Sequence, residues 1–294
     1  MGAGEGSTLI KNRSIASSLL LPSAAWLFLF FILPMIGMVI FSFRPDMRGG
    51  PFRLDWQPSI THYQNIFTGD IYLPLLWLSV RVAFGVALFA TLLAFPLAYF
   101  LVFHAGKRAS LYLTLAILPF WTSYLLRIIA WKTILGSNGL INNLLIYLGL
   151  VDEPVRILLY SRLAVVVTLV YVWLPFVALP IYAALLRINP SLLEAAAILG
   201  ASPWRTFFRV TLPLSLPGVI AGFFMVFIPT VGEYITPILV GGTRGSLYGN
   251  IIELYFGDGA NWPLGAALSV VMLAGVLCMA LLVSRLVDFR KLVS

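Results

Sequence analysis

Residues 194–218, EAAAILGASPWRTFFRVTLPLSLPG, interrupt an otherwise apolar chain with a glutamate, two arginines, two glycines and three prolines. The interruption lies between two apolar runs, 163–186 and 212–240. Each is long enough for the ~20 residues an α-helix needs to cross the hydrocarbon core of a bilayer. A chain that leaves the membrane here does so for a reason that the rest of the sequence has to supply.

The chain has 294 residues, 61% of them hydrophobic and 10% charged, with a mean hydropathy of +0.98. Such a composition belongs to an integral membrane protein and excludes an ordinary soluble domain. Six runs are long enough to span: 18–43, 75–103, 111–135, 163–186, 212–240 and 264–287. None alternates polar with apolar, and each far exceeds the ~10 residues of a barrel strand, so the expected fold is all-α with six transmembrane helices in one membrane domain over 18–287. The first run exceeds a signal-peptide core and no small-x-small cleavage site follows it, so it is expected to be retained. The one cysteine, Cys278, lies within the sixth run and reads as a small core residue.

The net charge of +8 comes from basic residues scattered over loop ends, without the clustered patch that nucleic acid requires. Six spans place both termini on one side. That side carries ten lysines and arginines and the other nine, so the positive-inside rule leaves the orientation open. Residues 1–17 and 288–294 read as polar tails, and 44–74 as an outer loop too rich in Pro, Gly and charge to be embedded. In the second outer loop, GLINNLLIYLGL (139–150) is too short to span and is expected to lie along the surface as a helix.

Within the loop 187–211, local chemistry predicts helix, bend, helix. Either Ser191 with Glu194 forms a capping box or Asn189 caps with Pro190 as the first helical residue. Gly200 supplies the stop, and Ser202-Pro203 opens a second short helix through Arg209. Ala195, Ala196, Ala197 and Ala201 leave one side nearly bare. Leu192, Leu193, Ile198, Trp204 and Phe207 are apolar, whereas Glu194, Arg205 and Arg209 seek water or a polar partner. On shape alone this is either an amphipathic connector on the membrane surface or a docking element.

The spacing Glu194-Ala195-Ala196, Gly200, Val210, Leu212-Pro213 resembles the EAA loop of ABC importer permeases, with Val210 where isoleucine is usual. The resemblance implies that the loop forms coupling helices docking into a cytoplasmic ATPase, with Glu194, Ala195, Ala196, Gly200 and Arg205 at the contact. It also places the loop, and with it both termini, in the cytoplasm. No G-x-x-x-x-G-K-[ST] surrounds any of the four lysines, so ATP and Mg are expected on a separate chain and no cofactor on this one. The segments 117–143, 171–185, 226–242 (VFIPTVGEYITPILVGG) and 261–269 (NWPLGAALS) resemble the spermidine/putrescine branch of these permeases. That resemblance implies a type I importer fold in a bacterial inner membrane. It also implies a second permease, two ATPase subunits and an extracytoplasmic solute-binding protein as partners, as a heterodimer of permeases with a homodimer left open.

Glu233 lies deep in the fifth run between Gly232 and Tyr234, where an acid is costly unless it faces a cavity or a partner. A carboxylate amid aromatic rings suits an alkyl-diammonium, while pairing with Arg127 is the structural alternative. Pro229 and Pro237 bracket Glu233 and predict a kinked or broken helix. Tyr234, Trp121, Tyr124, Trp173, Trp262 and Asp258 complete the candidate solute path. Two departures from the polyamine pattern, Ile238 after the second proline and Asn261 before Trp262-Pro263, leave an opine or another amino-acid derivative open as solute. His62 and His104 have no metal-like neighbours and read as ordinary polar surface residues. No catalytic constellation and no H-E-x-x-H is present, so an enzyme is a poor reading. An ion-coupled secondary transporter and a membrane scaffold are the readings from other classes.

Overall fold

The computed structural model describes residues 20–45 and 57–286, which are helical with no strand among them. The tails at 1–17 and 288–294 and the middle of the first outer loop, with Arg48 and Arg53, lie outside the described residues. The chain forms two compact units, one of residues 1–68 with 254–271 and one of 69–253 with 272–294.

In the first unit, α1 (Leu20–Ser42) is the first span. It widens into a π turn at Phe28–Ile32, immediately before Leu33-Pro34. The proline ring collides with the carbonyl four residues back, and a wider turn moves that carbonyl aside. The end of α1 is tied to α2 (Thr61–Thr68): the Ser42 hydroxyl lies 2.6 Å from the Tyr63 hydroxyl, and the Phe43 and Tyr63 rings are 5.2 Å apart. His62 is only 7% exposed, which corrects its reading as a surface residue. Burial lowers its pKa, against the opposing effect of hydrogen bonds to the backbone of Arg44 and Pro45.

The second unit is built on α3 (Tyr72–Phe103), α7 (Arg162–Leu186) and α9 (Pro203–Val231), which pack against one another. Helices in a membrane gain nothing from excluding lipid from one another, so they associate through close van der Waals contact at small residues. On α3, the fully buried residues Ala83, Ala87, Ala90, Ala94 and Ala98 recur every three or four positions and make one flat face. On α9, a Cβ at Gly218 would lie 2.5 Å from the Pro180 carbonyl oxygen, and one at Gly222 would lie 3.0 Å from that of Val177. This pair, four residues apart, is what lets α9 press onto α7.

The run 111–135 is not one straight helix. It divides into α4 (Ala109–Ile117), prolonged by a 3-10 turn at Leu118–Trp121, and α5 (Tyr124–Leu135). The segments Gly106–Trp121 and Tyr124–Tyr147 meet at 90°. Pro119 sets the tight turn, and Thr122 and Ser123 are extended with ψ of 153° and 140°. Among the described residues, five helices are therefore long and apolar enough to cross a membrane, and six if the bent pair counts as one span. The expected short helix follows as α6 (Leu140–Tyr147). Its buried Asn142 donates to the Gly136 carbonyl at 2.9 Å and accepts from the Val155 amide at 2.7 Å. After α7 come α8 (Pro190–Ile198), α9, α10 (Tyr248–Phe256) and α11 (Trp262–Leu286).

Candidate functional site

The fifth span breaks where its acid stands. Helix α9 runs through Pro217 and Pro229 and stops at Val231, and helical geometry resumes at Ile235. The cause is Pro237, which cannot donate to the carbonyl four residues earlier, that of Glu233, and whose ring would strike it. The gap is filled from elsewhere in the chain. Gly249 approaches so closely that a Cβ there would lie 2.6 Å from the Gly232 carbonyl oxygen and 2.7 Å from that of Glu233. Asn250 donates its side-chain amide to the Tyr234 carbonyl at 2.9 Å and accepts from the Leu247 amide at 2.8 Å. The Tyr248 amide donates to the buried Ser79 hydroxyl at 2.8 Å, so α3 anchors the segment that seals the break.

The Glu233 side chain is 9% exposed. One carboxylate oxygen accepts from the Thr236 amide at 3.0 Å, capping the helical turn that follows the break. The other accepts from the Tyr124 hydroxyl at 2.8 Å, which itself lies 3.0 Å from the Thr236 hydroxyl. Arg127 forms no ion pair with Glu233, so the structural alternative is not the one adopted. Its guanidinium lies 4.6 Å from the centre of the Phe120 ring and 5.9 Å from that of Tyr124. Its buried Nε and Nη1 have no hydrogen-bond partner. A carboxylate has about four lone-pair positions and here uses two of them on the protein.

The structure joins Tyr124 directly to Glu233. Trp173 is linked less directly: its ring is 5.4 Å from Phe176, which is 5.0 Å from Phe120, under Arg127. Tyr234 is half-exposed at the break and Trp121 is 82% exposed on the bent arm. Trp262 and Asp258, both exposed, belong to the first unit. Sequence reasoning did not single out Thr236, Ser79, Gly249 and Asn250 as partners of the break. The one local signal was Gly249 followed by Asn250, a pair that permits close backbone approach and offers a side-chain amide.

The loop 187–211 is exposed over most of its length, with Ile188 and Thr211 buried. Of the two cap readings, Asn189 is the one formed, its side chain accepting from the Ser191 amide at 3.1 Å. Gly200 turns the chain with φ of +75°, and the Ala201 amide closes the turn on the Ala196 carbonyl at 2.9 Å. Ser202 then caps α9, accepting from the Arg205 amide at 3.4 Å. The second helix does not stop at Arg209. It passes through a π turn at Phe207–Thr211, again directly before Leu-Pro, into the fifth span. Glu194, Ala195, Gly200 and Arg205 are exposed and Ala196 is half-buried. Ile198 and Leu199 are each 86% exposed and Trp204 is 72% exposed, an apolar surface without a described partner.

A bundle of apolar helices with a carboxylate at a broken span, and an exposed helix-turn-helix continuous with that span, defines a multi-pass membrane transport domain. The chain matches the family of binding-protein-dependent transport system inner membrane components over residues 12–290, and it belongs to that family. It is 37% identical over 246 residues to the spermidine/putrescine transport system permease protein PotB of Haemophilus influenzae, covering 84% of this chain and 85% of that one. It is 36% identical over 247 residues to PotB of Escherichia coli, covering 84% and 88%. Its fold matches a chain from the crystal structure of a bacterial ABC transporter involved in the import of the acidic polysaccharide alginate. The TM-score is 0.73 at 22% identity, over 97% of this chain and 99% of that one. The protein is a permease subunit of an ABC importer, with the permease fold that the sequence implied, and not a member of a catalytic family.

Proposed function

We propose that this permease moves polyamines of the putrescine and spermidine class, delivered by an extracytoplasmic binding protein, and that Glu233 receives the cation. The observation that carries the reading is the buried Glu233 carboxylate at the helix break, held by Tyr124 and the Thr236 amide with lone pairs to spare. Arg127 is occupied with aromatic faces, so the negative charge remains for cargo. An alkylammonium beside the Tyr124 ring gains both a charge-assisted hydrogen bond and a cation-π contact. The names of the relatives agree with this solute class.

ATP and Mg bind two separate ATPase subunits, and Glu194, Ala195, Ala196, Gly200 and Arg205 meet them in the cytoplasm, where both termini also lie. A second, different permease completes the pathway. Because Glu233 is buried here, cargo reaches it only in a conformation that opens the break. Closure of the ATPases pushes α8, and the unbroken helix Pro203–Val231 carries that motion to within two residues of Glu233. The test is uptake of labelled putrescine and spermidine by cells making the whole assembly, with and without this chain, against competing unlabelled solutes. Saturable uptake that requires the chain and yields to polyamines supports the reading. Competition by amino-acid derivatives but not polyamines assigns a different solute.

A further inference from the structure

Four cations gather at the end of α7 that is remote from the loop 187–211. Arg156, Arg162 and Arg244 line an open cavity of about 560 Å3 together with Tyr160 and Ser161. The Lys132 ammonium lies 5.9 Å from the centre of the Tyr160 ring. The arginines come from the turn Arg156–Leu158, from the first residue of α7 and from the turn Thr243–Gly245, so folding assembles what the sequence scatters. The Arg162 Nε donates to the Arg244 carbonyl at 3.0 Å. Tyr160 itself adopts φ of 55°, an unfavourable conformation for a bulky residue. Gly242, with φ of +58°, lies so near it that a Cβ there would be 3.0 Å from the Tyr160 Cβ. Ser161 caps α7, accepting from the Ala164 amide at 3.1 Å, which brings the positive end of that helix to the same cavity.

No residue lining the cavity is acidic, and among the described residues none of the four cations is in an ion pair. Asp152 and Glu153, the acids nearest Arg156 and Arg162 along the chain, are exposed and pair with none of the four. Like charges held together repel one another, and a strained tyrosine helps to hold these in place. Such a surface is complementary to an anionic partner. Its side of the membrane follows from α7, whose 25 residues span about 37 Å between the cavity and the loop 187–211.

We propose that Lys132, Arg156, Arg162 and Arg244 are the docking surface for acidic side chains of the extracytoplasmic binding protein, an inference that rests on the importer reading above. The family's dependence on a binding protein supplies the partner, and the charge supplies the chemistry.

The test is the affinity of the binding protein for the assembled transporter in phosphatidylcholine nanodiscs across a salt series. The R156E/R244E double variant is compared with R156K/R244K, and co-purification of the ATPase subunits reports that each chain is folded. The expected result is binding at least about tenfold weaker in the reversed variant, mostly through slower association, with a flattened salt dependence and recovery in the lysine variant. Unchanged affinity in the reversed variant, or a flat salt dependence of the wild type, overturns the proposal. So does an effect confined to discs containing anionic lipid, which assigns the cluster to lipid headgroups. A wild-type assembly that binds no binding protein at any salt concentration overturns the importer reading and this inference with it.

Discussion

The loop 187–211 and the break at Glu233 are two interruptions of the same membrane chain, built on opposite principles. The loop is made of neighbours: Asn189, Gly200 and Ser202 each close a turn within five residues, and Ile198, Leu199 and Trp204 stand in the open. The break is made of strangers: Glu233 is held by Tyr124, and its freed backbone is covered by Gly249 and Asn250 anchored on Ser79. Under the proposed function the surface of the loop is finished by a separate partner, whereas backbone freed inside a membrane has to be satisfied by the chain itself. One continuous helix, Pro203–Val231, joins the two.

The comparison can be broken at either end. Glu194→Lys in the loop should reduce uptake by about a hundredfold, the effect of about 3 kcal/mol at a docked charge, while the protein still inserts. Unchanged uptake with release of no ATPase would remove the docking role. At the break, Glu233→Gln should reduce polyamine uptake by about thirtyfold, as loss of one charged hydrogen bond costs about 2 kcal/mol. The assembly should remain intact, and failure of the variant to assemble would mean that the acid is structural.

Gly249→Ala places a Cβ 2.6 Å from the Gly232 carbonyl oxygen. It should lower the stability of the purified complex by about 2 kcal/mol, seen as a fall in melting temperature, since an overfilled contact can yield only by moving backbone. Tyr124→Phe removes one hydrogen bond to Glu233 and should cost about 1 kcal/mol, read as a several-fold rise in the polyamine concentration for half-maximal uptake.

The smallest effect concerns His62, outside both regions. Its pKa is lowered by burial below the ordinary 6.5, so the unfolded chain takes up protons before the folded one. Stability is then full above pH 6.5 and falls as the pH drops from there through the lowered folded value. A melting series between neutral and mildly acidic pH should show this loss in the native chain and not in His62→Gln.

The same contrast explains what the sequence disclosed. Caps, stops and the Glu-Ala-Ala spacing are local and ordered along the chain, so the loop could be read in advance, down to two alternatives for its cap. Pro229 and Pro237 announced a disrupted helix around Glu233, and the four-residue reach of the Pro237 ring accounts for its position. The residues that fill the gap lie more than a hundred positions apart, from Ser79 and Tyr124 to Asn250, and no periodicity connects them. Hydropathy alone also made one helix of 111–135, because it registers apolar length and not direction. The bend was written in Pro119 and the extended Thr122 and Ser123. His62 was misread because a single histidine in a polar loop gives no sign of its burial.

The most direct test of the central claim, that one helix connects a motor contact to a cargo site, is the number of spermidine molecules accumulated per ATP hydrolysed in proteoliposomes given the binding protein. The account predicts that Glu233→Gln retains hydrolysis stimulated by the binding protein while transport collapses, and that Glu194→Lys loses both together. Transport retained in Glu233→Gln, or stimulated hydrolysis retained in Glu194→Lys, would contradict it.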